Sequence, residues 1–235
     1  MRYIAVSDVG CVRNNNEDMA YACGRLIRDG SSEGECESPC AFAVADGMGG
    51  YEGGEVASEV VCRSFSSFMS AFAPANEDEA ITALKEWAGE ANSLVLETAA
   101  VRPELAEMGT TFVGLVFAAG ALLLINIGDS RCYRRRGGVL KQLSTDHSEL
   151  ERTGDPLTPS NLIYNFMGNH PDDFFSDVTL LRPSAGDVYL LCSDGLSDLV
   201  DYDAIEENAA EPATLVGMAK EAGGRDNITV VSIFC

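Results

Sequence analysis

The chain has 235 residues, and at roughly 150 residues per domain this favours one large domain, residues 1–235, with no linker. Apolar residues at 46% and charged residues at 23% exclude a disordered, collagen-like or coiled-coil chain. Lys and Arg total 16 against 37 Asp and Glu, and the net charge of −21 repels nucleic-acid phosphates and anionic lipid, so no nucleic acid and no membrane are expected as partners. Cations fit such a field, as do anions reached through a bound cation.

Met1 to Val6 breaks into Ser7-Asp8 before a signal peptide's apolar region could form, and the expected location is cytoplasmic. Strand-like runs follow at Tyr3–Ser7, Asp18–Gly24 and Ala41–Ala45, with the polar stretch Asp29–Ser38 expected as a hairpin tip. Gly54–Phe72 carries Val56, Val60, Phe65 and Phe68 near helical spacing. Glu77–Val101 opens with acids suited to a helix N-terminus and carries Ile81, Leu84, Trp87, Ala91, Leu94 and Val95. Met108 to Gly128 is 21 residues without a formal charge, close to the ~20 that span a bilayer. The Gly109-Thr110-Thr111 opening, the Ala118-Ala119-Gly120 interruption and Asn126 instead predict a buried hairpin of Thr111–Phe117 and Ala121–Ile127. Further strands are predicted at Arg131–Arg135, Val139–Gln142, Ser176–Leu181, Asp187–Ser193 and Ile228–Phe234. A helical patch at Tyr202–Gly223 is interrupted by Pro212 and capped at Gly223-Gly224. Without βαβ alternation the class is α+β: a four-layer α-β-β-α sandwich, two antiparallel sheets face to face with helices outside.

Eight cysteines fall far below disulfide-scaffold density, and Cys62, Cys132 and Cys192 lie in apolar runs where free thiols pack as small hydrophobes. This reads as a reducing compartment. Cys36 and Cys40 are close in sequence but lack a second Cys/His pair at zinc-finger spacing, so no zinc site is expected and no role is assigned to them.

Three apolar runs lead into an aspartate beside a glycine: Ala41–Ala45 into Asp46-Gly47, Leu122–Ile127 into Gly128-Asp129, and Val188–Ser193 into Asp194-Gly195. Asp226 precedes the last strand, and Glu17-Asp18 heads another. One Asp-Gly is ordinary turn chemistry. Several acids converging at strand ends would repel one another unless a cation intervened, and oxygen donors without thiolates or clustered imidazoles suit Mg²⁺ or Mn²⁺.

In order along the chain stand Arg13-Asn14-Asn15-Asn16-Glu17-Asp18, Ala45-Asp46-Gly47-Met48-Gly49-Gly50, Gly109-Thr110-Thr111, Gly128-Asp129-Ser130-Arg131, Asp146-His147-Ser148, Ser193-Asp194-Gly195-Leu196-Ser197-Asp198 and Asp226-Asn227-Ile228-Thr229. This series resembles the signature blocks of the metal-dependent PP2C-type (PPM) protein serine/threonine phosphatases, and the Asp-Gly-Met-Gly-Gly and Asp-His-Ser forms are similar to bacterial members. The resemblance implies two Mn²⁺ or Mg²⁺ ions. Asp46 would bridge them, Gly47 would lend its carbonyl to one, Asp194 and Asp226 would hold the other, and Glu17 and Asp18 would approach directly or through water. Asp129 with Asp194 matches a third, weaker site. Arg13 would clamp the phosphoryl oxygens, so that Asp46, Arg13 and Asp18 form the implied catalytic set. The reaction implied is hydrolysis of phosphoserine and phosphothreonine in proteins by direct attack of a metal-bridging hydroxide, opposing a cognate protein kinase. EDTA is then expected to abolish activity and thiol alkylation to spare it.

Two departures from the family stand out. Met48 occupies the place where animal members have a histidine, and the flap that follows Asp146-His147-Ser148 is short, Glu149 to Gly168, with Gly154, Pro156 and Pro159 inside. His147 is expected to be structural. The competing readings are a catalytically silent module that uses this fold to grip a regulatory partner, and another metallohydrolase such as a phosphodiesterase.

Overall fold

The structure is a computed structural model that describes residues 1–49, 53–155, 157–159 and 162–235. The chain begins with β1 (Arg2–Asp8), β2 (Met19–Ala22), β3 (Arg25–Ile27), β4 (Gly30–Glu35), β5 (Cys40–Ala45) and the short β6 (Gly47–Met48), then enters α1 (Gly53–Ala71) and α2 (Glu77–Val101). It continues through β7 (Gly109–Thr110), β8 (Phe112–Ala118), β9 (Ala121–Ile127), β10 (Arg131–Arg136), β11 (Val139–Gln142), α3 (Glu149–Thr153) and β12 (Asp177–Leu181). The last elements are β13 (Val188–Cys192), α4 (Asp194–Ser197), α5 (Tyr202–Asn208), α6 (Pro212–Glu221) and β14 (Ile228–Phe234).

Two antiparallel sheets of six strands, ordered β11-β10-β13-β14-β1-β4 and β12-β9-β8-β5-β2-β3, are covered on their outer faces by α5 and α6 and by α1 and α2 respectively. This is the expected four-layer α+β sandwich. Period-two alternation in strands buried on both faces builds three cores. On β5, Ala41, Ala43 and Ala45 face the helices with Val61, Phe65 and Trp87, while Phe42 and Val44 turn between the sheets toward Tyr189, Leu191, Val231 and Ile233. Leu190, Cys192, Ile228 and Val230 meet Leu196, Leu215 and Val216 in the third. Each fully buried Leu, Ile or Phe stabilises the fold by about 1.5–3 kcal/mol.

The uncharged stretch forms the hairpin its breakers predict: β8 and β9 pair from Phe112↔Ile127 to Ala118↔Ala121, and the turn residues Ala119 and Gly120 have φ of 51° and 75°. Positive φ at both central positions matches the right-handed twist of the paired strands. No described helix is long and apolar enough to cross a membrane. Helix α2 keeps the predicted bounds because Asn76 accepts from the Glu79 N–H (2.9 Å) while Glu79 accepts from the Ala75 N–H (2.9 Å), behind an acidic first turn.

Two expectations are corrected. Asp29–Ser38 is not merely a hairpin tip: Gly30–Glu35 is an edge strand paired with β1 from Ser7↔Gly30 to Arg2↔Glu35. An edge strand needs only its backbone to pair, and its polar side chains remain largely exposed, so no apolar alternation marks it. Second, the reading of reduced, unpaired thiols fits Cys62, Cys132 and Cys192 but not Cys23, which is bonded to Cys36. Gly50 and Pro156, named in the sequence reading, lie outside the described residues.

Candidate metal centre

A cavity of about 250 Å³ opens at one end of the sandwich. Glu17, Asp46, Asp129, Asp194 and Asp226 line it, and Arg13 is the one basic residue among its described lining. The fold explains the convergence. Glu17 precedes β2, Asp46 follows β5, Asp129 follows β9, Asp194 follows β13 at the start of α4, and Asp226 precedes β14, so separate strand termini deliver acids to one rim.

Each acid is held by local polar contacts. The Asp46 N–H donates to Thr111 Oγ1 (3.0 Å), and the Asp46 carbonyl accepts from the Thr111 N–H (2.9 Å) and from the Thr110 hydroxyl (2.9 Å). Gly47 lies so close to the backbone of Gly54 and to the Glu17 carbonyl that a Cβ there would collide with both, and this contact brings α1 against the rim. Asn227 fastens the loop carrying Arg13 and Glu17. Its amide donates to the Val9 and Asn15 carbonyls (3.0 Å each), and its oxygen accepts from the Glu17 N–H (2.8 Å). Buried His147 accepts at Nδ1 from the Gly128 N–H (3.1 Å) and from the Asn165 amide (2.8 Å), leaving Nε2 to donate to Asp177 (3.2 Å). That ring joins the Asp129 turn to the flap segment, which agrees with the structural role expected of it.

Asp18 differs from its neighbours. It does not line the cavity but lies buried beneath it, accepting at Oδ2 from the Ser193 hydroxyl (2.7 Å), while Oδ1 is buried without a hydrogen-bond partner among the described residues. Arg13 is not tied to Glu17 or Asp18; it donates to Asp226 Oδ2 at 2.7 Å, with both side chains partly exposed. Met48 and Ile163 close the apolar side of the cavity, and no cysteine is among its described lining.

The electrostatics follow from this crowding. Burial raises Asp18 to about 7, the hydrogen bond from Ser193 opposes the shift, and the charges of Asp194 and Asp226 add to it. Burial and then Asp18, Asp194, Asp129 and Asp226 push Asp46 well above the usual carboxylate range. Asp129 rises to about 7 through burial and Asp194, and Asp194 to about 6 through burial and Asp226. Glu17 is raised by burial against the pull of Arg13. Acids held this close and this dry lack a counter-charge that one arginine does not provide. The donors are hard oxygens, and the orphaned Asp18 oxygen has unused acceptor capacity, so the residues fit divalent ions of the Mg²⁺ and Mn²⁺ type.

The sequence blocks contain most of the supporting groups, but their roles were not legible there. Thr110, Thr111, Ser193 and Asn227 stand in those blocks with nothing local to mark their roles, and Ser58, whose hydroxyl donates to the Glu17 carbonyl (2.6 Å), lies outside every block. The available signal was a small polar residue next to an acid at a strand end.

Residues 29–222 match the family model described as Protein phosphatase 2C. The chain is 37% identical to the serine/threonine protein phosphatase PstP of Mycobacterium tuberculosis over 98% of its own length, spanning 44% of that relative. It is 32% identical to the serine/threonine phosphatase stp of Listeria monocytogenes, covering 97% of this chain and 93% of the relative. The crystal structure of the PstP catalytic domain with two manganese ions superposes with a TM-score of 0.80 at 33% identity, over 99% of this chain and 98% of that one. The chain belongs to the protein phosphatase 2C family.

Proposed function

We propose that the protein is a metal-dependent serine/threonine phosphatase that hydrolyses phosphoserine and phosphothreonine esters in proteins and reverses the work of a protein kinase in the cytoplasm. The observation that carries this reading is the gathering of Glu17, Asp46, Asp129, Asp194 and Asp226 around one cavity, with a single guanidinium at its edge. The names of the Mycobacterium and Listeria relatives support the same reading.

Asp46, with its main chain fixed by Thr110 and Thr111, would bridge two ions, the Gly47 carbonyl would complete one, and Asp194 and Asp226 would hold the other. Glu17 and Asp18 would complete the shell directly or through water, and Asp129 with Asp194 would take a third, weaker ion. Mn²⁺ or Mg²⁺, when bound, supplies neutralising charge and an activated water. Arg13 grips the phosphoryl oxygens through its planar fork, a geometry that lysine lacks. Met48 and Ile163 offer no proton, so the leaving serine or threonine oxygen would take its proton from water entering the cavity. No thiol is among the described residues lining the cavity, which argues against a cysteinyl-phosphate route.

Mn²⁺-dependent release of phosphate from a phosphothreonine peptide tests the proposal, with Asp46→Ala and Asp194→Ala as folded controls. Turnover that survives either substitution, or that requires a free thiol, overturns it. A diester hydrolysed faster than the monoester would assign a different metallohydrolase.

A further inference from the structure

Away from the cavity, the described residues contain one group of three metal-ligating side chains whose donor atoms are mutually close. The sulfurs of Cys23, Cys36 and Cys40 all lie within 4.8 Å of one another. Backbone contacts hold the positions that carry them. The Cys23 N–H donates to the Ala41 carbonyl (3.0 Å), and the Cys36 N–H to the Met1 carbonyl (2.9 Å). Cys40 opens β5 and is buried, whereas Cys23 and Cys36 are partly exposed. Cys23 and Cys36 are joined, and Cys40 is free.

The second observation is the space beside the sulfurs. A cavity of about 290 Å³ is lined by all three cysteines together with the thioether residue Met69 and the carboxylate residue Glu37. This donor set is the chemical opposite of the acidic rim. Thiolate and thioether donors select soft cations, zinc or copper(I), over the magnesium and manganese that carboxylates prefer. A structural zinc ion takes four ligands, so three thiolates leave one position, and the adjoining cavity has room for a water or a side chain there.

We propose that these cysteines, when reduced, form a second metal site that takes a thiophilic ion of the zinc class through Cys23, Cys36 and Cys40, and that the Cys23–Cys36 bond is the form that excludes the ion. Opening the site requires a thiol reductant. Two equivalents of a small thiol supply two electrons, the Cys23–Cys36 bond breaks, a disulfide of the reductant forms, and two cysteine thiols appear. Ion binding then makes three metal–sulfur bonds and releases three protons to solvent. A small-molecule disulfide runs the sequence backwards and expels the ion.

The site is separate from the acidic rim. Cys40 opens β5 and Asp46 follows its last residue, Ala45, so six residue steps along the strand part them, roughly 20 Å at about 3.3 Å per residue. Activity is therefore not the readout. The test uses the full chain, reduced under anaerobic conditions with excess Mn²⁺ to saturate the carboxylates, and titrates it with Co²⁺. One equivalent is expected to raise a sulfur-to-cobalt charge-transfer band that oxygen ligands do not give, Zn²⁺ should bleach it, and bound Zn²⁺ should protect three thiols from alkylation. Cys40→Ser, confirmed folded by circular dichroism, should lose the band at one equivalent, and Cys11→Ser, an exposed cysteine outside the cluster, should keep it. Three results would overturn the proposal: no band in the reduced protein, an unchanged band in Cys40→Ser, or a Cys23–Cys36 bond that resists reduction while the protein is folded.

Discussion

Arg13 and Asp226 stand 2.7 Å apart at the edge of a cavity otherwise lined by acids, and the pair decides what substitutions there should do. An exposed pair contributes only about 0–1 kcal/mol, so Arg13→Lys should leave thermal unfolding nearly unchanged. The same change removes a bidentate grip on a phosphoryl group, and with charged hydrogen bonds worth about 1.5–3 kcal/mol, kcat/KM should fall roughly 10- to 100-fold. Steady-state kinetics on a phosphothreonine peptide, beside a melting curve, separates the two effects. Asp46→Ala should behave differently. It removes an acid whose charged form burial and the neighbouring carboxylates disfavour, so the metal-free protein should be as stable as the parent or more so, while turnover drops by at least about 10²–10³-fold, the usual cost of deleting one stabilising group at the reacting centre. A metal-free Asp46→Ala protein that melts well below the parent would contradict this account of the crowding.

Strand ends set the spacing of the acids, and the ties between those ends carry testable energy. Asn227 makes three hydrogen bonds to the loop between β1 and β2 from a nearly buried position. At about 1 kcal/mol each, Asn227→Ala should cost ~2–4 kcal/mol in denaturant unfolding and weaken Mn²⁺ binding, because Glu17 loses its anchor. Much of this level was legible in sequence. The breakers around Ala119-Gly120 marked the hairpin, the acidic start of α2 marked its cap, and the aspartates stood beside glycines at the ends of apolar runs. Two kinds of feature were not legible. The edge strand Gly30–Glu35 presents its backbone rather than an apolar face, and the Asn227 ties join residues more than 200 positions apart, beyond any local pattern. Nor could composition place Cys23 against Cys36, since that contact depends on how β2, β4 and β5 meet.

The whole molecule carries a net charge of −21, and its densest acid cluster lacks a matching counter-charge. In the folded state Asp18 and Asp129 titrate near 7 and Asp194 near 6, against about 3.9 for an unfolded aspartate. Raised carboxyls favour the fold fully below the unfolded value, and that contribution is lost as pH rises through 6 to 7. The metal-free protein should therefore melt lower at pH 8 than at pH 5, by an amount on the order of 5–10 °C for ~2–4 kcal/mol. Mn²⁺ should reverse the trend, raising the melting temperature more at pH 8, where the ligands are ionised. Asp129→Asn should flatten the metal-free profile, which distinguishes the cluster from diffuse surface repulsion.

Arg13, Glu17 and Asp18 belong to the first turns of the chain, and Asp226 lies just before its final strand, β14, which pairs with β1 from Asp8↔Ile228 to Arg2↔Phe234. During synthesis, the acids beside β1 must therefore wait until Asp226 and β14 have left the ribosome and docked beside them. A nascent polypeptide halted before residue 226 would have the hairpin and the long helices but no complete acid rim, so the cavity is assembled only once β14 has been made and has docked on β1.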